Sequence, residues 1–194
     1  TPLQALAREL REELGIEARA FAPLISLPWR YPEKSVRLHA LRVTAWQGEP
    51  HAREGHPLRW VPIGEMDPAE MPAADRPIVT ALRLPARYAI TPDDSGPALA
   101  GACVQATGES TLLQLRLPGR DRAVVRACAN HLLAGTPELQ NRLLVNADIE
   151  LARELGVGVH LRAAQLHELQ QRALPDPHWV GASCYDADEL DLLI

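Results

Sequence analysis

Three carboxylates recur at helical spacing near the start of the chain: Glu9, Glu12 and Glu13, within Arg8-Glu9-Leu10-Arg11-Glu12-Glu13-Leu14-Gly15-Ile16. Positions i, i+3 and i+4 of a helix share one patch, where like charges repel by about 0.2–0.5 kcal/mol per pair on an exposed surface. A bound divalent cation would reverse that repulsion, because hard carboxylate oxygens suit Mg2+ or Mn2+. The same residues also describe a solvated charged face neutralised by Arg8 and Arg11, and the spacing alone leaves both readings open.

The element that must present these acids is well delimited. Thr1 is placed to cap a helix, with Pro2 at its first position and Gln4 completing a capping box. Gly15 stands where a left-handed C-terminal cap is expected. Leu3, Leu6, Leu10 and Leu14 form an apolar stripe, which turns the acids away from the core. Beyond the helix, Phe21 to Leu27, Ser35 to Trp46 and Leu58 to Val61 read as strands, and Pro77 to Leu84 as a closing helix.

After a short linker at Leu84-Pro85-Ala86 the pattern changes. Strand-like runs at Tyr88–Thr91, Thr111–Arg116, Arg142–Asn146, Gly156–Leu161 and His178–Ala182 alternate with helical stretches at about 97–107, 121–133, 148–155 and 163–173. Regular βα alternation implies a parallel sheet or barrel. Five such units, with a fifth helix beginning near Asp186, suggest the first five-eighths of a TIM (β/α)8 barrel. The expected division is therefore 1–84 and 86–194.

Composition bounds the function. With 46% hydrophobic residues the chain can form a real core, and a formal net charge of −5 argues against a nucleic-acid binder with a basic face. Cys103, Cys128 and Cys184 are scattered and lack metal-ligand spacing, which suits free thiols in a reducing compartment. No apolar run approaches 18 residues and no signal peptide is visible, so the expected location is cytoplasmic with no membrane partner.

The run Arg8 to Ile16 resembles the second half of the Nudix box, Arg-Glu-U-x-Glu-Glu-x-Gly-U with U aliphatic, at every specified position. That resemblance implies a Nudix α/β/α sandwich, incomplete because the glycine and earlier glutamate of the box would precede Thr1. Within the superfamily the chain is similar to MutT-type nucleotide hydrolases through Tyr31-Pro32, Trp46-Gln47-Gly48-Glu49-Pro50, Glu54-Gly55, Arg59-Trp60-Val61 and Met71 to Val79. The implied activity is hydrolysis of 8-oxo-dGTP and related purine nucleoside triphosphates to monophosphate and pyrophosphate, a nucleotide-sanitation role linked to DNA repair.

The resemblance implies roles residue by residue. Glu9, Glu12 and Glu13 would hold Mg2+ (or Mn2+), and Arg8 would orient the glutamates. Glu54 would bind metal or act as base, against the plain reading of a solvated loop acid. Asp75 stands where the best-known pattern has an asparagine that reads the oxidised purine. An ionised aspartate only accepts, so it should face the N7–H of 8-oxoguanine and repel O6, whereas a carboxyl kept neutral by burial could still donate. Asp75 can equally be a helix N-cap before Arg76-Pro77. Tyr31 and Lys34 could touch base or phosphate, or simply occupy a surface loop.

The second half resembles thiamine-phosphate synthase and its TenI-like relatives. The carrying residues are Tyr88 to Thr91, Leu113-Gln114-Leu115-Arg116, Leu144-Val145-Asn146, Gly158-Val159-His160-Leu161 and Val180 to Ser183. The synthase pattern has an acid after the asparagine, an acid after Gly-Val-His-Leu, and a lysine after Gln-x-Arg. Here those positions are Ala147, Gln165 and Pro118. Each change removes a charge that would bind Mg2+ or diphosphate, which argues against synthase activity. Gln114, Arg116, Asn146 and His160 remain as lining for a small heterocycle or phosphate, or as inherited polar residues; Asp148 and Glu150 suit a helix start. Two other functions stay open: a thiamine-related enzyme hydrolysing thiamine diphosphate or its analogues, and a ligand-sensing module with a vestigial Nudix half.

Overall fold

The computed structural model describes residues 1–53, 55, 57–93, 96–108, 111–186 and 188–189. The chain forms two compact units, Thr1–Leu84 and Pro85–Ile194.

The first unit begins with α1 (Pro2–Leu14). The Thr1 hydroxyl accepts from the Gln4 N–H at 3.4 Å, and the Thr1 ammonium donates to Gln4 Oε1 at 3.0 Å, so the reciprocal cap satisfies the first turn. At the other end Gly15 adopts φ 69°, ψ 16°, and the Gly15 and Ile16 N–H groups both return to the Leu10 carbonyl. Strands β1 (Glu17–Arg30) and β2 (Ser35–Gln47) follow as an antiparallel hairpin, paired from Glu17↔Gln47 to Arg30↔Ser35 with register shifts between Ala18 and Phe21 and between Pro23 and Ile25. Its tip closes through the Tyr31 N–H to the Lys34 carbonyl at 2.8 Å. Three 3-10 turns, Ile63–Glu65, Pro68–Glu70 and Ala73–Asp75, lead into α2 (Arg76–Arg83). Arg83 ties the turns to α2 by donating to the carbonyls of Ile63 and Gly64, each at 3.3 Å, and of Met66. Both helices pack on β1.

One expected element is absent. Residues 57–62 form no strand, and the sheet of this unit holds β1 and β2 alone. A strand needs a partner ladder for its N–H groups, and Pro57 and Pro62 bracket the run with two positions that cannot donate. Trp60, 73% exposed, instead stacks on Trp46 with ring centroids 6.2 Å apart. Among the described residues the buried apolar side chains of this unit are Ile16, Leu27, Ala74 and Val79, and none belongs to α1.

The second unit is a five-stranded parallel sheet in sequence order: β3 (Arg87–Ile90), β4 (Thr111–Leu115), β5 (Leu143–Asn146), β6 (Gly158–Leu161) and β7 (Val180–Ala182). The crossovers contain α3 (Pro97–Thr107), α4 (Arg122–Gly135), α5 (Ile149–Leu155) and α6 (Ala163–Leu166). Parallel strands that advance one neighbour at a time, joined by helical crossovers, are ordered like the wall of a TIM barrel. Every residue of β4 is buried, as expected for a parallel strand covered on both faces. Leu113, Leu115, Leu143, Val145, Val159 and Leu161 meet Cys128, Ala129, Leu132, Leu151 and Ala152 in one core.

The helix expected over 163–173 stops at Leu166. The chain beyond is drawn into a loop because Arg153 donates to the Ala173 carbonyl at 2.9 Å and Arg172 to the His178 carbonyl at 2.6 Å, while Ala173 and Leu174 enter the core. Such tethers to a buried backbone outweigh the weak propensity differences that would extend a helix.

Candidate functional site

In the first unit, α1 presents Glu9, Glu12 and Glu13 on its solvent side, with Glu9 half-buried and the other two exposed. Arg8 bridges two of them, with Nη2 at 2.6 Å from Glu9 Oε1 and Nε at 3.8 Å from Glu12 Oε2. The hydrogen bond and charge of Glu9, then the charge of Glu12, raise the already high pKa of Arg8. The far end of α1 is clamped. The His51 N–H donates to the Leu14 carbonyl at 3.1 Å and the Arg53 N–H to the Glu13 carbonyl at 3.0 Å, while Arg53 Nη1 reaches the Arg11 carbonyl at 3.3 Å. Three carbonyls that a helix end leaves without partners are thereby satisfied. A Cβ on Gly15 would lie 2.5 Å from His51 Cε1 and 2.8 Å from Arg53 Nε, so the strap fits only against glycine.

The ring roles of His51 follow from its partners. Its Nδ1 lies 2.9 Å from the Glu49 carbonyl, which only accepts, so Nδ1 carries the proton. Its Nε2 then accepts from Arg53 Nε at 3.3 Å. Neither His51 nor Arg53 announces itself in the sequence; the signal lies in backbone bonds between distant segments.

Other expected residues are dispersed. Glu54 lies outside the described residues. Tyr31 and Lys34 form the hairpin tip, at the opposite end of β1–β2 from the Gly15 cap, and are not brought to the α1 acids. Asp75 is half-buried at the end of its 3-10 turn; it precedes α2, but its side chain makes no cap hydrogen bond, against the expected N-cap role. Among the described residues, no three His, Cys, Asp or Glu side chains converge into a set able to hold a metal ion. The donor chemistry of Glu9, Glu12 and Glu13 nonetheless fits a hard divalent cation.

In the second unit the four expected pocket residues do meet. Gln114, Arg116, Asn146 and His160 line a cavity of about 640 Å3 at the carboxyl ends of β4 to β7, with Ser183 and Tyr185 beside them. Gln114 Nε2 donates to Asn146 Oδ1 at 2.7 Å, and Tyr88 Oη donates to Gln114 Oε1 at 3.2 Å. Since Tyr88 has one proton, His160 Nδ1–H donates to Tyr88 Oη at 2.7 Å. His160 Nε2 is then the acceptor for the Ser183 hydroxyl at 3.1 Å. This assigns a neutral imidazole, in keeping with burial lowering the His160 pKa and raising that of Tyr88. Tyr88 and Ser183 were not singled out by sequence as site residues; Ser183 directly follows the end of β7, which was its available signal, whereas Tyr88 lies near the start of β3 and reaches the site through its long side chain. Arg116 pairs with Asp93, and its N–H donates to Thr91 Oγ1 at 2.9 Å.

A sequentially wound parallel sheet with a polar pocket at its carboxyl ends defines the second unit as a barrel-type α/β domain, and the capped acidic helix sets the first apart. Residues 87–193 match the model of the thiamine monophosphate synthase family, and residues 1–82 match that of the NUDIX domain. The chain belongs to the thiamine monophosphate synthase family through its second unit and carries a Nudix domain in its first.

Curated relatives match the Nudix part. The chain is 34% identical over 83 residues to an 8-oxo-dGTP diphosphatase of Escherichia coli (strain K12), covering 43% of this chain and 64% of that protein. It is 37% identical over 82 residues to an 8-oxo-dGTP diphosphatase of Haemophilus influenzae, covering 42% of this chain and 60% of that protein. A CTP pyrophosphohydrolase of Escherichia coli (strain K12) is 37% identical over 78 residues, covering 40% of this chain and 58% of that protein. The chain thus spans less than two thirds of the length of each. No helix among the described residues is long and apolar enough to cross a membrane.

Proposed function

We propose that the first unit serves a divalent-metal-dependent nucleoside triphosphate pyrophosphohydrolase whose substrate is an oxidised purine nucleotide of the 8-oxo-dGTP kind. The observation that carries this reading is α1 itself: three carboxylates on adjacent turns, two of them bridged by Arg8, on a helix capped at both ends and strapped at its carboxyl end. Glu9, Glu12 and Glu13 would hold Mg2+ or Mn2+, which supplies charge neutralisation for the triphosphate and activation of a water nucleophile. Arg8 limits the freedom of Glu9 and Glu12, so fewer rotamers are lost when they bind. Glu54, next in sequence to the strapped Arg53, accepts the proton of the attacking water. Asp75 accepts from the N7–H that distinguishes the oxidised purine. Similarity to the two 8-oxo-dGTP diphosphatases supports the same substrate class.

The test is release of pyrophosphate and monophosphate by the protein with Mg2+ or Mn2+, comparing 8-oxo-dGTP, dGTP, CTP and thiamine diphosphate. Preference for 8-oxo-dGTP, reduced by about a hundredfold or more in Glu12→Gln, is the expected result. Turnover of thiamine diphosphate alone, or turnover indifferent to Glu12→Gln, would refute it.

A further inference from the structure

The synthase pattern implies a divalent cation and a diphosphate on the second unit, and the residues present do not fit that group. Ala147, in place of the acid, takes φ 62°, and its carbonyl accepts from Gln165 Nε2 at 2.9 Å. The same Gln165, in place of the second acid, accepts the Arg162 N–H through Oε1 at 3.0 Å. Both ends of the amide are consumed in joining the loops after β5 and β6. Where metal ligands would be needed there is a neutral clip. The nearest acids are also engaged: Asp148 caps α5 through the Leu151 N–H at 2.9 Å and pairs with Arg122 at 3.1 Å, and Glu150 pairs with Arg153. Among the described residues of this unit, no three His, Cys, Asp or Glu side chains come together as a metal site.

Asp148 and Glu150 also line the cleft around the clip, but with Arg122 and Arg153 as their partners two arginines without an ion pair to a described residue are left over there. A cavity of about 690 Å3 is lined by Arg120, Arg122, Arg162, Asn146 and Gln165. It adjoins the cavity holding Arg116 and His160, sharing Pro118, Gly119, Asn146 and Arg162 with it. Arg116 and Arg122 have acidic partners, whereas Arg120 and Arg162 enter no ion pair with a described residue. Two guanidinium forks facing one cleft match the oxygens of a carboxylate or phosphate group directly. The floor beside them, Gln114, Asn146, His160 and Ser183, is uncharged and offers both donors and acceptors.

We propose that this cleft is a metal-independent anion site: Arg120 and Arg162 take the carboxylate- or phosphate-type group of a small polar ligand, whose uncharged part meets the neutral floor, with no divalent cation between them. The proposal departs from the synthase pattern, in which charge on the ligand would be bridged by metal. It is independent of the reading of the first unit.

The experiment is calorimetric titration of the Glu12→Gln protein, which silences the first unit's acids, with inorganic phosphate, inorganic diphosphate and citrate. Each is run in EDTA and again in Mg2+. At least one probe is expected to bind in EDTA, with an affinity that changes less than about twofold on adding Mg2+ once free-ligand chelation is accounted for. Arg162→Ala, and separately Arg120→Ala, should weaken binding about tenfold or more with an unchanged circular dichroism spectrum, because each removes charged hydrogen bonds. Which probe binds separates a phosphate ligand from a carboxylate one. Binding that requires Mg2+, no binding of any probe at millimolar concentration, or arginine variants that bind like the parent would each overturn the proposal.

Discussion

Gly15→Ala isolates the junction between the acidic helix and the strap that holds its end. Two separate penalties apply. The left-handed backbone, at φ 69°, disfavours any residue with a Cβ by roughly 1–2 kcal/mol. The new methyl would also stand 2.5 Å from His51 Cε1, and that ring is held by the Glu49 carbonyl and Arg53 Nε. If the strap yields, the bonds from His51 N–H to Leu14 and from Arg53 N–H to Glu13 are strained or lost, at about 0.5–1.5 kcal/mol each. The sum is about 2–5 kcal/mol. The assay is native-state hydrogen exchange of the α1 amides, which reads local opening free energy without requiring the two units to unfold together. His51→Ala supplies the decisive comparison. In that background the shortest contact is gone and only the one to Arg53 Nε, on a long flexible side chain, remains, so Gly15→Ala should cost little beyond the backbone term, roughly 1–2 kcal/mol. A cost below about 0.5 kcal/mol in the parent, or the same cost with and without His51, would refute the steric part of the argument.

Other outcomes follow from the same geometry. Arg8→Ala should leave the melting temperature nearly unchanged, since the side chain is exposed, yet lower kcat for pyrophosphate release by about tenfold or more through loss of order at Glu9 and Glu12. Leu143→Ala removes a fully buried β5 side chain and should destabilise the second unit by about 2–5 kcal/mol in urea unfolding. His160 has a folded pKa below its unfolded value, because burial disfavours the charged ring. Its contribution is therefore present above the unfolded pKa and lost as pH falls through the folded one. The urea midpoint of the second unit should drop on acidification from neutrality, and His160→Gln should drop less over the same range. Equal pH slopes in the two proteins would remove His160 as the cause.

Much of the fold is written locally. Thr1, Pro2, Gln4 and Gly15 delimit α1 because caps act within one turn, where sequence neighbours are also spatial neighbours. The five parallel strands were legible because βα alternation and apolar runs such as Leu112-Leu113 and Leu143-Leu144-Val145 need no knowledge of partners. Leu58 to Val61 failed as a strand because its pattern was suitable but the unit offers it no ladder, and the flanking prolines reinforce that outcome. The helix after β6 was overestimated because bonds from Arg153 and Arg172 to distant carbonyls bend the chain away.

The sequence by itself determined the chemistry available: three acids on one helical patch, a neutral trio at Pro118, Ala147 and Gln165 where the synthase pattern carries charge, and polar residues at strand ends. Only the tertiary structure decided how those groups are spent. It joined Gln114 to Asn146 and His160 to Ser183, which lie 32 and 23 residues apart in sequence. It closed Gln165 onto Ala147, and it set His51 and Arg53 against the end of α1. The physical reason is range. Spacing along a helix or strand specifies which side chains share a face, whereas hydrogen-bond partners from other elements depend on register and crossover, which local pattern does not encode.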